Sequence, residues 1–193
     1  MNICDLRPDA EAVVMQAARL LVEGFCEHWP NAWPTLETAL DEVHECLSEE
    51  RICRIAVEGE TVLGWIGGIP QYDGHVWELH PLVVHAVYRG RGIGRALVED
   101  LEAQVAARGG LTIYLGTDDE DDMTSLGGVD LYDDLWGRIA RIQNLKGHPY
   151  SFYSRLGYYI VGVVPDANGP GKPDICMAKR VQPLRLQSQG DPG

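Results

Sequence analysis

The chain has 193 residues, 45% of them hydrophobic, which is enough for one domain with a substantial core. Its 29 acidic and 16 basic side chains give a formal net charge of -13. Because binding to a phosphate backbone needs clustered lysines and arginines, nucleic acid is not expected as a partner. A surface of this sign would attract a polycationic small molecule, although an acidic balance also serves solubility.

The length of the apolar runs and the number and spacing of the cysteines indicate the cellular compartment and whether a metal is bound. There is no apolar run of transmembrane length, and residues 1–5 lack the basic-then-apolar layout of a signal peptide, so no membrane interaction is expected. The five cysteines are an odd number without a C-x-x-C pair, which indicates neither a disulfide framework nor a zinc site. We therefore expect a cytoplasmic protein with reduced thiols and no metal.

The first elements are a short strand at residues 2–6 and an amphipathic helix at 11–24. A loop with two tryptophans and two prolines follows, and Thr35 is predicted to cap a second helix with an acidic outer face. Residues 52–57 and 61–69 predict an antiparallel hairpin. Its second strand contains three glycines, so a second backbone or a ligand is expected to approach it closely. These glycines are Gly64, Gly67 and Gly68.

A strand beginning at Val76 leads into the most informative stretch of the sequence. Pro81 has no N–H to give to a ladder, so the strand is expected to bulge there. Glycines alternate with other residues from Gly90 to Gly94, and a helical apolar stripe follows to about residue 107. Unpaired N–H groups at such a helix start suit a phosphate, although glycines also serve plain tight turns.

The second half of the chain predicts a strand at 111–115, a helix at 135–142, a short helix from His148, and a hairpin at 158–164 and 175–179. An acidic run follows the first of these strands at its carboxyl end, where open α/β sheets place their ligands. We find no internal repeat, and predict one domain over residues 1–181 and a loose tail over 182–193.

The spacing Arg89-x-x-Gly92-x-Gly94 resembles the acetyl-CoA pyrophosphate loop of the GNAT superfamily of N-acetyltransferases, with the pattern Q/R-x-x-G-x-G/A after a bulged strand. The segments 77–84, 108–119, 142–145 and 148–153 resemble the enterococcal-type aminoglycoside 6′-N-acetyltransferases. The resemblance implies a single-domain α/β GNAT acyltransferase fold. In that fold helices flank a mixed sheet that splays beside its bulged central strand.

The resemblance also implies a reaction and a co-substrate. Acetyl-CoA would donate its acetyl group to the 6′-amine of an aminoglycoside by direct transfer, with the Leu82 amide on the thioester oxygen. Alternatives on the same fold are an acetyltransferase for polyamines or protein amines, and a sensor that binds acyl-CoA without turnover. Members are commonly homodimers, but nothing in the sequence shows an interface. The residues implied to hold acetyl-CoA are Leu82, Val83, Val84, Arg89, Gly90, Arg91, Gly92, Ile93, Gly94 and Arg95.

The acceptor must be a neutral amine, and an alkyl ammonium with a pKa of about 10.4 has to lose a proton first. Glu78 is the first candidate for the base, acting through a water, and His80 is the second. Strand alternation puts both on one face with Leu82. Glu78 could equally anchor a substrate ammonium, and His80 could be a half-buried histidine without a catalytic role.

Residues 153–158 resemble the Y-x-x-x-G-F/Y element of the superfamily. The resemblance implies that the Tyr153 hydroxyl returns a proton to the leaving thiolate, which its reference pKa of about 10 allows. The other reading is an aromatic in the core of a short helix. The superfamily often places an asparagine seven residues earlier, where this chain has Lys146; Asn144 is out of register and is left unassigned.

The candidates for substrate binding are Trp29, Glu78, Asp118 and Asp119. Trp29 would cover a sugar ring or pack its loop against the core, whereas Trp33 is taken for packing. The two aspartates open the acidic run. They could neutralise ammonium groups beside an acyl-transfer cleft, although such a run is also typical of a solvated face.

Overall fold

The computed structural model describes residues 1–183. Within this range the chain forms seven strands and five α-helices. The strands are β1 (Asn2–Asp5), β2 (Ile52–Glu58), β3 (Thr61–Gln71), β4 (Val76–Val84), β5 (Thr112–Asp118), β6 (Tyr159–Val164) and β7 (Asp174–Arg180). The helices are α1 (Glu11–Phe25), α2 (Leu36–Cys46), α3 (Ile93–Ala107), α4 (Leu135–Ala140) and α5 (Tyr150–Arg155).

The seven strands make one mixed sheet in the order β1-β2-β3-β4-β5-β7-β6. All neighbouring strands are antiparallel except β4 and β5, which run parallel because α3 forms the crossover between them. This is the single α/β sheet flanked by helices that the sequence predicts, and that prediction is confirmed.

Each face of the sheet packs against its own helices. On one face α1 and α2 bury Leu21 and Val43 against Trp65, whose indole donates to the Ala17 carbonyl at 3.0 Å. On the other face the predicted stripe of α3 is buried with residues such as Ile113. The sheet is therefore fixed from both sides, which holds its strand ends in place. The stripe consists of Ile93, Leu97, Leu101 and Val105.

The central strand β4 is bulged as predicted. Ile66 pairs with Leu82 and Gly68 pairs with Leu79, so two steps along β3 face three steps along β4. The extra residue lies in the segment containing His80 and Pro81. Beyond this point β4 continues beside β3 alone, because its parallel pairing with β5 ends after only three pairs, at Glu78. The sheet therefore splays between β4 and β5, as predicted.

The glycines of β3 allow the close approach that the sequence predicts. A Cβ at Gly64 would lie 2.6 Å from the carbonyl oxygen of Val83, and one at Gly67 would overlap the carbonyl oxygen of His80. At Gly68 the near neighbour is a side chain instead, with Leu101 Cδ1 at 2.8 Å. The backbone of the bulged segment thus packs against β3 where side chains are missing.

Element boundaries differ from the sequence prediction by up to three residues. The strand predicted at 111–115 runs over Thr112–Asp118, because β7 pairs with it along its full length up to Asp118. Helix α4 ends at Ala140, two residues early, and α5 begins at Tyr150. The predicted tail falls almost wholly in residues 184–193, outside the described part, although Gln182 donates to the Ala106 carbonyl at 2.6 Å.

Candidate active site

The splay between β4 and β5 opens a cleft of about 1130 Å³. One wall is the bulged half of β4, and the other is formed by the end of β5 and by α5, with the loop between α1 and α2 lying across the opening. The structure brings most of the predicted site residues to this cleft. They are Trp29, His80, Leu82, Val83, Val84, Arg89, Gly90, Gly92, Ile93, Gly94, Arg95, Asp118 and Tyr153.

The glycine-rich turn forms one end of the cleft and leads into α3. Gly90 and Gly92 have φ values of 79° and 82°, a left-handed conformation that side chains disfavour. Gly92 is the N-cap, and no side chain caps the helix. The first N–H groups of this long helix therefore keep their hydrogen-bonding capacity at the positive end of the dipole. This arrangement fits an anion such as a diphosphate.

The arginines of this turn make structural contacts. The Arg89 guanidinium donates to the carbonyl oxygens of Val84 at 3.2 Å and Gly24 at 3.4 Å, so it ties the turn to β4 and α1. Arg91 lies over the Tyr88 ring, 5.1 Å from its centroid, and does not line the cleft. The structure thus does not bring Arg91 to the site with the other predicted residues.

The segment Leu82 to Val84 presents backbone toward the cleft. On one side these residues pair with β3, and on the other side β5 has already parted from the strand. An extended molecule could occupy the gap as an added strand, since the unpaired edge keeps main-chain donors and acceptors.

Glu78 lies at the point where β4 and β5 part, just outside the cleft lining. Its Oε2 accepts hydrogen bonds from the Tyr114 hydroxyl at 2.9 Å and the Gln71 amide at 3.4 Å. Burial and the neighbouring Glu78 carboxylate raise the pKa of Tyr114 to about 12. The predicted alternation is broken at the bulge: Trp77 and Leu79 pack on the side of α3, whereas beyond Pro81 it is Leu82 that packs there and Val83 that packs on the side of α1 and α2. Glu78 and His80 therefore lie on the face opposite Leu82.

His80 lines the cleft at the bulge and faces α2. Its Nε2 lies 3.8 Å from Oε2 of Glu42, and its ring centroid is 5.7 Å from that of Trp33. Burial lowers the pKa of His80, but Glu42, together with Glu78, outweighs burial and leaves the pKa raised. The same contact works in the opposite direction on Glu42, whose pKa is lowered against the effect of burial.

Tyr153 lies on α5 at the cleft and is 7% exposed. Its ring packs against Phe152 and Tyr158, with centroid distances of 5.0 and 5.7 Å. Burial raises the pKa of Tyr153, so the phenol stays protonated at neutral pH. Both sequence readings apply: the ring is part of the core, and the residue borders the cleft.

The two aspartates predicted to bind substrate occupy different environments. Asp118 lines the cleft at the end of β5. Asp119 is fully buried, and its carboxylate accepts from the backbone N–H groups of Met123 at 2.6 Å and Thr124 at 2.8 Å, and from the Thr124 hydroxyl at 2.7 Å. The expectation that Asp119 faces the substrate is corrected: its oxygens are used within its own loop, out of reach of the cleft.

The tryptophan loop bridges the opening of the cleft. The Trp29 indole donates to the Asp118 carbonyl at 3.2 Å, and His28 Nδ1 lies 2.8 Å from Oδ2 of Asp121. Trp29 also packs against Phe25, with ring centroids 5.7 Å apart. Trp29 therefore both packs its loop and lines the cleft, while the loop joins α1 to the acidic run across the opening.

Two site residues were not assigned from the sequence. Glu42 lies beside the buried residue Val43, at the edge of the apolar stripe of α2. This position next to the stripe distinguishes it from the other acidic residues of the helix, which are exposed, and could have identified it in the sequence. Asn144 donates to the His148 carbonyl at 2.8 Å and the Ser151 hydroxyl at 2.7 Å. These bonds fix the start of α5 and thereby the position of Tyr153.

The sequence model of the acetyltransferase (GNAT) family matches residues 18–132. The chain belongs to this family. As a GNAT acetyltransferase it shares its fold with a solved aminoglycoside 6′-N-acetyltransferase complexed with coenzyme A. The two are 45% identical with a TM-score of 0.89, and the match covers 96% of this chain and 100% of that one.

Two further relatives match this GNAT chain over different shares of its length. The aminoglycoside 6′-N-acetyltransferase from Enterococcus faecium is 45% identical, with a TM-score of 0.87 and coverage of 96% of this chain and 100% of that one. An acetyltransferase of Pectobacterium atrosepticum is 42% identical over 66 residues, which are 34% of this chain and 45% of that protein. The chain therefore spans less than half the length of this second relative.

Among residues 1–183 there is no helix long and apolar enough to span a membrane. In the same range, no three histidine, cysteine or acidic side chains are grouped so that they could hold a metal ion.

Proposed function

We propose that this GNAT acetyltransferase transfers the acetyl group of acetyl-CoA to the 6′-amine of an aminoglycoside. The observation that carries the proposal is 45% identity across 96% of the chain to enzymes described as aminoglycoside 6′-N-acetyltransferases, one of them in complex with coenzyme A. We further propose that residues 1–181 form a single N-acetyltransferase domain that works in the cytoplasm.

The cleft has the features that acetyl-CoA requires. The uncapped start of α3 and the glycines of the turn suit the diphosphate. The unpaired edge at Val83 and Val84 suits the amide-bearing arm, which would pair as an added strand. The Leu82 amide then polarises the thioester carbonyl, so that negative charge developing on its oxygen is stabilised.

The reaction is a direct transfer between the two bound substrates. The acceptor ammonium loses a proton to a base, its nitrogen forms a bond to the thioester carbon, and the carbon–sulfur bond breaks. Tyr153 gives its phenolic proton to the departing sulfur, and the second proton that the acylated nitrogen loses restores the phenol. The products are the 6′-N-acetyl antibiotic, which lacks one positive charge, and CoA.

Acidic residues in the cleft lining supply the attraction for a polycationic acceptor. Asp118 lies at the end of β5, and Glu27 and Glu120 line the same cleft. The ammonium groups of an aminoglycoside would replace water around these carboxylates, and a field of one sign raises the local concentration of the opposite ion.

Thiol release from acetyl-CoA with a panel of amines tests the proposal. Kanamycin A, which has a 6′-amine, should support release, and paromomycin, which has a 6′-hydroxyl at that position, should not. Release with spermidine or a peptide but with no aminoglycoside would indicate the alternative amine acetyltransferase. Saturable CoA binding without turnover on any amine would indicate a sensor.

A further inference from the structure

Glu42 is placed to act on the cleft. Glu42 lies three residues after Ala39 and one residue before Val43, and both of these residues are fully buried. Its side chain therefore projects from the edge of the apolar stripe of α2. The Glu42 side chain is only 15% exposed, and its Oε2 lies 3.8 Å from Nε2 of His80. Both residues line the cleft. A carboxylate in such a place must find a cationic or hydrogen-bonding partner, and the imidazole is that partner.

The charged groups that face His80 come from three elements. Glu42 belongs to α2, Glu78 belongs to β4 itself, and Arg51 lies in the turn after α2. The two carboxylates favour the imidazolium and Arg51 disfavours it, with Glu42 the strongest of the three. Trp33 covers the ring from the tryptophan loop, which limits its rotation.

Glu78 and His80 are not equally available as proton acceptors. Glu78 lies outside the cleft lining, and its Oε2 already accepts from Tyr114 and Gln71. His80 lines the cleft, and its Nε2 is the ring nitrogen at ion-pair distance from Glu42, so a neutral ring with its proton on Nε2, toward that carboxylate, has its lone pair on Nδ1. A carboxylate that holds an imidazole in one tautomer and stabilises its protonated form is an established way to make a histidine an effective base.

We propose that Glu42 is a positioning residue for His80 and that His80, held by Glu42, accepts the proton that the acceptor amine loses. This inference rests on the proposed acetyl transfer. One ammonium proton moves to Nδ1 of His80, and the nitrogen lone pair so freed forms the bond to the acetyl carbon. The imidazolium, paired with Glu42, later releases its proton to solvent.

The test compares Glu42→Gln with the wild type in two measurements. NMR titration of the imidazole carbon-bound protons gives the pKa of His80 without any turnover, and the missing signal of His80→Gln identifies the resonance. The pH profile of kcat/KM for kanamycin A gives the pKa of the base in the reaction. Glu37→Gln is the matched control, because it removes the same charge from an exposed position of the same helix.

In Glu42→Gln we expect the pKa of His80 and the acidic limb of the profile to move together to lower pH, by about one unit. We expect kcat at pH 8 to fall by about tenfold or more, with KM changed less than about twofold, since the acetyl-accepting geometry is kept. Glu42→Asp should restore part of the loss. Glu37→Gln should match the wild type in both measurements.

An unchanged pKa of His80 in folded Glu42→Gln would overturn the positioning role. A shifted pKa with an unshifted kcat/KM profile would overturn the role of His80 as proton acceptor. Absence of turnover by the wild type on every amine would instead remove the proposed function, and with it the acceptor role. The NMR titration would in that case still decide whether Glu42 sets the pKa of His80.

Discussion

Tyr153 contributes its ring to the core, and its hydroxyl is proposed to act in the reaction. Its ring is packed between two other aromatic rings, so its position is fixed by burial. The same burial raises the pKa of Tyr153, so the proton that the proposed transfer to the departing thiolate requires is present at neutral pH.

Tyr153→Phe should reduce kcat with kanamycin A by about 100-fold while changing the KM for acetyl-CoA little, because only the proton donor is lost. Steady-state thiol release gives both constants. Tyr159→Phe, at a position that is 75% exposed on β6, is the control and should leave the rate unchanged. An unaltered rate in Tyr153→Phe would remove this residue from the acid role.

Asp174 is an acid whose environment costs stability. It pairs across the ladder with Asp118, and its Oδ1 is buried without a hydrogen-bond partner. Burial, followed by the charges of Asp118 and Glu78, raises the pKa of Asp174 to about 6. An unfolded chain has an aspartate pKa of about 3.9, so the folded protein binds this proton more tightly than the unfolded chain does.

The contribution of this group to the free energy of unfolding is therefore present below pH 4 and is lost as the pH rises to about 6. Asp174→Asn should be more stable than the wild type at pH 7 by about 1 kcal/mol, a figure reduced for the solvent that still reaches the carboxyl. Urea denaturation at pH 7 and pH 4 measures this. Equal differences at both pH values would contradict the explanation.

How far the residues of the site follow from the sequence depends on how local their contacts are. Tyr153 and the glycines of the turn belong to compact patterns, so their places could be predicted. Glu42 and His80 are 38 positions apart and meet only through packing of α2 on the sheet. The prediction that Asp119 binds substrate was wrong because its carboxylate accepts hydrogen bonds from three donors of Met123 and Thr124. An acidic run in the sequence does not indicate such bonds.

At the scale of elements, the contact between β3 and β4 determines the shape of the cleft. The bulge of β4 needs room, and β3 provides it by omitting side chains at Gly64 and Gly67. This relation could be predicted, because glycines inside a strand indicate a close approach and Pro81 indicates a bulge. The full length of β5 could not, since Gly116 and Asp118 are poor strand formers and this end of the strand is ordered by β7 from far along the chain.

Gly67→Ala should destabilise the protein by about 1–3 kcal/mol, because the added methyl overlaps the His80 carbonyl and lies 2.9 Å from Cys46 Sγ. Thermal unfolding followed by circular dichroism measures the change. Gly162→Ala in β6 is the control, since its Cβ would meet no atom within 4 Å. A melting temperature equal to that of the wild type in Gly67→Ala would show that β4 does not pack here as described.

At the scale of the whole molecule, fold and charge act together. The sheet, its order and its flanking helices agree with the α/β prediction, and the family match extends over residues 18–132. The chain carries a net charge of -13, while one end of the cleft is an uncapped helix start suited to anions. One cleft thus contains both this helix start and the acidic Asp118, which supports the proposal of an anionic co-substrate and a cationic acceptor.

Only three residue pairs join β4 to β5, so the sheet consists of two halves connected by a short seam. A ligand arm that bridges the open part of the seam would add main-chain bonds between the halves. CoA should therefore raise the melting temperature and slow amide hydrogen exchange at Leu82 to Val84 more than at β1, on the far edge of the sheet. Equal slowing at both places would mean that the co-substrate holds the fold together elsewhere. In this protein the co-substrate is thus expected to act as a missing strand, so that loading the enzyme also completes its architecture.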